Sequence, residues 1–383
     1  MALVIDYSNG VFEAVPSGET VGTITGNATL DLTSGNLFNH TPTANTTFVF
    51  SNPPTTGSAY DMTLKVVGAN VTSGYDIANA SYDSVSFSVS GQEANPYDIF
   101  FKPDGTKMYV TGASGDDVNE YSLSTAWDIT TGSYVQNFSV SAQETAPTGL
   151  FFKSDGTKMY VVGQQSDNVN EYNLSTAWDV STASYVQNFS VNSQESVPRG
   201  LYFNPNGTKF FINGAIGDDI NEYSLSTAWD VSTASFTTNF SVASQEGTPN
   251  GLSFNDDGTK MYIVGTDNDT VYEYDLSTGF DLSTASYNSV SFSVASQDVN
   301  PTGLFFKTDG SKMYVIGLGN KTIYQYSTTG SSALATIAWP SSVKWAGGTA
   351  PSAPASGEKD VYNFFTLDGG TTYYGFQAGD AMA

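Results

Sequence analysis

The chain has 383 residues, a formal net charge of −25, no cysteine and a single histidine, His40. So acidic a surface repels phosphate backbones and argues against nucleic-acid binding, while the missing cysteine excludes disulfide staples and thiolate chemistry. Aromatics make up 14% of the residues, turn formers are abundant, and no apolar run approaches the roughly 20 residues of a spanning helix, so an all-β protein without membrane insertion is expected.

The opening MALVIDYSNG has neither a basic nor an apolar signal region, so no signal peptide is expected. Residues 1–26 carry few turns and no evident partner strand, which suggests an arm that docks on a neighbouring subunit or a larger particle. From residue 27 to 72, ATLDLTSGNLFNHTPTANTTFVFSNPPTTGSAYDMTLKV reads as three or four strands separated by Gly, Asn and Pro turns.

A repeat then occupies residues 73–331. The glycines of five DG or NG pairs fall at Gly105, Gly156, Gly207, Gly258 and Gly310, and Pro96, Pro147, Pro198, Pro249 and Pro301 keep step with them. A period near 50 residues with several strands per unit marks propeller blades. In the second unit GLFF (149–152) and KMYVVG (158–163) flank the Asp155-Gly156 hairpin, VNEYNL (169–174) follows, and STAWDVSTASYVQNFSV (175–191) leads into a fourth strand. Sets of first to third strands occur five times, and so do segments ending FSV. One of these, YDIANASYDSVSFSV, precedes the first complete set, and the last set, ending at Ser327, lacks one. Pairing the early strand with the last set closes a five-bladed ring and removes two free edges. Closure also places Tyr75 and Ser327 side by side, as an inserted domain requires.

Beyond the ring, ALATIAWPSSVKWAGG (333–348) resumes as strands, and VYNFFTLDGGTTYYGFQAG reads as a hairpin around Gly369-Gly370. Residues 27–72 and 332–383 together are therefore expected to form a small β-sandwich or jelly roll that anchors the protein, with the five-bladed β-propeller inserted into it.

Through its xFxxDGTKMYVxG core the repeat resembles the YVTN and NHL-like propellers, which implies the fold and not a function. The flanking strings HTPTANTTFVFSNPPTTGSAYDMTLKV, IAWPSSVKWAGGTAPSAP and FFTLDGGTTYYGFQAGDAMA resemble the terminal domain of marine bacteriophage structural proteins. That resemblance implies a tail fibre or head decoration on the exterior of a virion, held to other virion proteins as a homo-oligomer such as a trimer. The propeller would be displayed for capsid decoration or for contact with a host-surface glycan.

Catalysis has little to build on. His40 lies in FNHTP, where a structural or surface role is expected. A glycan-degrading propeller enzyme, the alternative to a non-enzymatic structural protein, needs a pair of acids at unrepeated positions. Here the acids repeat: Glu93, Glu144, Glu195, Glu246 and Asp298, then Asp116-Asp117, Asp167, Asp218-Asp219 and Asp267. Loops joining fourth to first strands and second to third strands open at one end of a propeller. Glu144, Glu195, Glu246, Asp116, Asp117, Asp218 and Asp219 therefore define a candidate acidic ligand face, with calcium or a calcium-bridged glycan as the conceivable ligand and no other cofactor expected. Arg199, the only arginine, interrupts the repeat near Asp98, Gly149 and Gly251 of other blades and is expected to pair with an acid. Trp127, Trp178, Trp229 and Phe280 recur at one site and are expected to pack between blades.

Overall fold

In the computed structural model each DG or NG pair forms the tight hairpin its residues demand. The five glycines have φ between 64° and 74°, a region that side chains resist. The acid or amide before each glycine accepts from the Thr or Ser two residues on: Asp155 Oδ1 takes the Thr157 amide at 3.0 Å and its hydroxyl at 2.6 Å. The structure describes residues 24–25, 29–42, 46–53, 60–67, 70–72, 74–330, 332–334 and 337–382. The expected arm 1–26 lies outside them except for the strand Ile24–Thr25. The chain divides into two units, residues 74–330 and residues 1–73 with 331–383.

The first unit is a five-bladed propeller of four-stranded sheets. In the second blade Pro147–Phe152, Lys158–Gly163, Asn168–Leu174 and Ala183–Ser190 pair antiparallel in chain order. The second strands are buried almost throughout, whereas the fourth strands alternate exposed with half-buried positions. This gradient, from an inner strand covered on both faces to an outer one wetted by solvent, accounts for the apolar KMYVVG run and the polar SYVQNFS run. Clusters such as Phe100, Tyr109, Leu150, Phe152, Met159 and Trp178 bridge adjacent blades. Each such side chain stabilises the ring by roughly 1.5 to 3 kcal/mol.

Closure follows the strand count. Ser81–Ser88 completes the last sheet by pairing antiparallel with Thr322–Ser327, Phe87 opposite Ile323. The chain enters and leaves at one point, where the Asp76 amide donates to the Thr328 carbonyl at 3.0 Å.

The STAWD tryptophans precede the fourth strands. Trp178 has φ 65°, which ends the extended chain, and Asp179 then caps a short 3-10 turn, Val180–Thr182, before the strand starts at Ala183.

In the other unit Leu37–His40, Tyr60–Val67, Lys359–Thr366, Tyr373–Met382 and Val343–Trp345 form one five-stranded sheet in that order. Both flanks contribute to it: Leu64 pairs with Tyr362, and the Thr63 hydroxyl donates to Asn363 Oδ1 at 2.9 Å. The hairpin around Gly369-Gly370 is present, with both glycines at positive φ. Leu30, Phe38, Phe48, Leu64, Tyr362, Phe364 and Tyr373 make its core. Leu37–His40 runs parallel to Tyr60–Val67, and Val343–Trp345 runs parallel to Tyr373–Met382. These parallel pairs depart from the antiparallel order of a jelly roll. His40 ends a strand; it is buried, with its ring edge-on to Phe48 at 5.4 Å, and burial lowers its pKa.

Candidate functional site

The propeller has two ends. At the first, the loop from fourth to first strand carries the repeated glutamates, and the loop from second to third strand carries the repeated aspartates. Hydrogen bonds join the two loops. Glu144 accepts from the amides of Ala146, Gln165 and Ser166 at 2.8, 3.2 and 3.0 Å, and from the Ser166 hydroxyl. Glu195 takes the amides of Val197, Ile216 and Gly217, and Glu246 those of Thr248, Asp267 and Asn268. Glu93 and Asp298 do the same in their blades.

The expectation of a solvated acidic ligand face is therefore corrected for Glu144, Glu195 and Glu246. Each is at most 1% exposed and its oxygens serve backbone donors that would otherwise lack partners. Asp117 and Asp219 are also buried, held by the amides of Asn119 and Asn137 and of Asn221 and Asn239. Asp116 and Asp218 occupy positive-φ turn positions, half-buried. The equivalent turn residue in the fourth blade is Asp269, at φ 48°, and not Asp267. Among the described residues no group of three or more His, Asp or Glu side chains is arranged to hold a metal ion.

Arg199 makes no ion pair among the described residues. Its guanidinium lies over the Tyr97 ring at 5.3 Å, and its Nε and Nη1 are buried without hydrogen-bond partners. Strand register aligns it with Tyr97, Thr148, Asn250 and Thr302, whereas Asp98 aligns with Gly149, Gly200, Gly251 and Gly303. Asp98 is buried, accepts from the Ile99 and Leu150 amides at 2.8 and 2.9 Å, and is pushed up to about 8 by burial, against the pull of those two donors.

The second end is the hairpin end, and it opens into a cavity of about 210 Å³. Its rim takes one residue from each blade: Pro103, Ser154, Pro205, Asp256 and Thr308. Below the rim come Phe101, Phe152, Phe203, Phe254 and Phe306, and at the floor Phe100, Phe151, Tyr202, Ser253 and Phe305. The floor residues also line a smaller cavity of about 20 Å³ that reaches Asp98. Four floor rings stand edge to face in a row, Phe305 to Phe100 to Phe151 to Tyr202, with centroids 5.3 to 5.4 Å apart and planes at 67° to 71°. Ser253 stands where a fifth ring would close the circle.

Around this cavity runs the aromatic ring expected to pack between blades. Each member sits against a hairpin glycine. A Cβ at Gly105, Gly156, Gly207 or Gly258 would meet Trp127, Trp178, Trp229 or Phe280 within 2.4 Å. The fifth member, not evident from the sequence motif, is Tyr75 against Gly310. The Tyr109, Tyr160, Tyr262 and Tyr314 hydroxyls donate to the carbonyls of Trp178, Trp229, Tyr75 and Trp127, so every contact crosses to another blade. Tyr75 alone of the five carries a hydroxyl; it donates to Asp256 Oδ1 at 2.9 Å and lies 3.1 Å from the Thr308 carbonyl. Among the described residues Asp256 is the only carboxylate lining the cavity; partial burial and the nearby Asp257 and Asp309 raise its pKa, opposed by the Tyr75 hydroxyl. Ser253, Asp256 and Tyr202 escape a search for what repeats; aligned column by column, the five units display all three as exceptions.

No family model and no curated protein matches the chain. Similar solved structures include the β-propeller domain of Cps50 (Swd1) from Myceliophteria thermophila, 12% identical over 61% of this chain and 69% of that one, with a TM-score of 0.37. A functionally unknown protein from Desulfotomaculum acetoxidans DSM 771 is 11% identical over 75% of this chain and 86% of that one, with a TM-score of 0.38.

Proposed function

We propose that this chain is a non-enzymatic structural protein of a phage particle, in which the smaller β unit makes the assembly contacts and the propeller is displayed as a binding module. The observation that carries the reading is the closing hairpin of the smaller unit. One of its faces supplies Tyr362, Phe364 and Tyr373 to the core, while the other exposes Phe365, Leu367, Tyr374 and Phe376, each at least 38% accessible. Phe365 and Tyr374 are register partners and stack at 5.2 Å. A row of large apolar side chains on an outward face suits burial against a neighbouring subunit. The resemblance of both flanks to phage structural proteins supports the particle as the setting.

The glycan-degrading alternative finds less support. Hydrolysis by two carboxylates needs both to border the bound sugar. Among the described residues Asp256 is the single carboxylate that lines the axial cavity, and the repeated acids at the opposite end are committed to backbone amides. Mass spectrometry and cryo-electron microscopy of purified particles test the proposal. Density for the smaller unit on the particle, with Phe365 and Tyr374 in a subunit contact, is the expected result. Absence of the chain from particles, or a free and solvated hairpin face within them, would overturn it.

A further inference from the structure

The departures from fivefold repetition are not scattered. At the floor, four blades place an aromatic ring where the fourth places Ser253. At the rim, the other blades place Pro or a hydroxyl residue where that same blade places Asp256. In the aromatic ring around the hairpins, three tryptophans and a phenylalanine give way to Tyr75, whose hydroxyl holds Asp256 Oδ1. Tyr202, the one floor ring with a hydroxyl, adjoins the Ser253 gap. Four exceptions therefore meet at one side of one cavity.

Their physical effects are complementary. With Ser253 in place of a fifth ring, the row ends at Tyr202 on one side and Phe305 on the other, with no floor ring between them. The ring faces of a cavity lined by aromatics attract a cation, most of all one that sheds its water readily. Asp256 supplies a countercharge at the mouth, and Tyr75 fixes one of its oxygens while leaving Oδ2 without a hydrogen bond among the described residues. The chain's net charge of −25 draws cations and repels anions.

We infer that the hairpin-end cavity binds an organic ammonium group, alkylated at nitrogen and carried on a short stem, with its cationic head over the floor aromatics beside Ser253 and its charge balanced by Asp256. A primary ammonium would need three hydrogen-bond acceptors, more than the apolar floor offers, whereas a trimethylammonium group needs only ring faces and one carboxylate. The inference rests on reading the propeller as a binding module and is independent of where the chain is assembled.

Calorimetric titration of the full chain tests it, with choline as the probe and 3,3-dimethyl-1-butanol as its uncharged counterpart of the same shape. Choline should bind at least tenfold more tightly than the alcohol. Asp256→Asn should weaken choline at least tenfold and leave the alcohol unchanged. Ser253→Phe, which fills the gap, should abolish binding of both. Because Ser253→Phe could disturb folding, its circular dichroism and melting are compared with wild type, and Asp256→Asn stands as the independent test. Equal affinity for choline and the alcohol, or no binding of choline by the folded wild type, would overturn the inference. Phosphatidylcholine vesicles, run beside phosphatidylglycerol vesicles, distinguish the source: selective capture assigns a lipid headgroup, and choline binding without capture assigns a free solute. Since this assay needs no particle, its failure is separable from failure of the assembly reading.

Discussion

Four blades place glycine where one first strand crosses the next, and the close approach explains why: a Cβ at Gly149 would lie 2.6 Å from the Arg199 carbonyl oxygen. The first blade places Asp98 there instead, buried, with its carboxyl group between the Ile99 and Leu150 amides. Those two donors favour the ionised form, but desolvation outweighs them and lifts Asp98 to about 8. In the unfolded chain the same group titrates near 4. Between these two values the folded state keeps a proton that the unfolded state has lost, so this residue's contribution to stability falls as pH rises from about 4 to about 8 and is level above that. The acidic surface adds a background trend in the same direction, which a comparison of variants removes. From pH 4.5 to pH 9, wild type should lose at least about 1.4 kcal/mol of unfolding free energy relative to Asp98→Asn, read from urea midpoints. A difference that stays constant across the range would mean that Asp98 titrates as an ordinary carboxylate and that the small cavity beside it is wetter than its packing implies.

The hairpin and the aromatic residue seated on it form the unit from which the ring is built. Gly156 combines φ 74° with a Trp178 ring atom 2.3 Å from where a Cβ would stand, and the Trp178 amide donates to the Gly156 carbonyl at 3.1 Å. Gly156→Ala should therefore destabilise the protein by about 2 to 3 kcal/mol, combining backbone strain with displacement of the indole. Gly91→Ala, at an exposed turn with no atom within 4 Å, should change stability by less than about 0.5 kcal/mol. Thermal unfolding of both variants checks the contrast, and equal effects would mean that the indole contact contributes little. Much of this unit was legible beforehand, because DG and NG hairpins and alternating apolar strands act through neighbouring residues. The positive φ of Trp178 and the 3-10 turn after it were not, since STAWD holds no glycine and the bend is imposed by contact with a hairpin some twenty residues away. The repeated glutamates misled for a related reason. An acid in a polar loop looks solvated until the second loop that folds over it is known, and Glu144 meets Gln165 and Ser166 only in the assembled blade.

At the level of the whole molecule, counting strands was enough to close the ring, but the smaller unit depended on pairings that no local pattern encodes. Nothing in YDMTLKVV or KDVYNFFT announces that Leu64 will face Tyr362, or that Leu37–His40 will run parallel to its neighbour. The same pairings nevertheless make a definite demand of the chain. Among the described residues the core of the smaller unit draws on residues 30–66 and 337–373, and the strands that flank the propeller in sequence, Asn70–Thr72 and Ser332–Leu334, pair antiparallel with Thr72 opposite Ser332. Two ends held in that register are the geometry a two-residue Asn-Gly turn connects. Replacing residues 73–331 by Asn-Gly should therefore leave a folded β protein, and residues 74–330 alone should fold as a closed ring, because Ser81–Ser88 lies within that segment. Each piece should unfold in a single cooperative transition, and calorimetry of the intact chain should contain both. Dispersed amide resonances from the joined flanks are the decisive readout. A collapsed, undispersed spectrum would show that the smaller unit depends on the propeller for its fold, and the pairing of Leu64 with Tyr362 would then be a consequence of the ring's presence rather than an independent anchor.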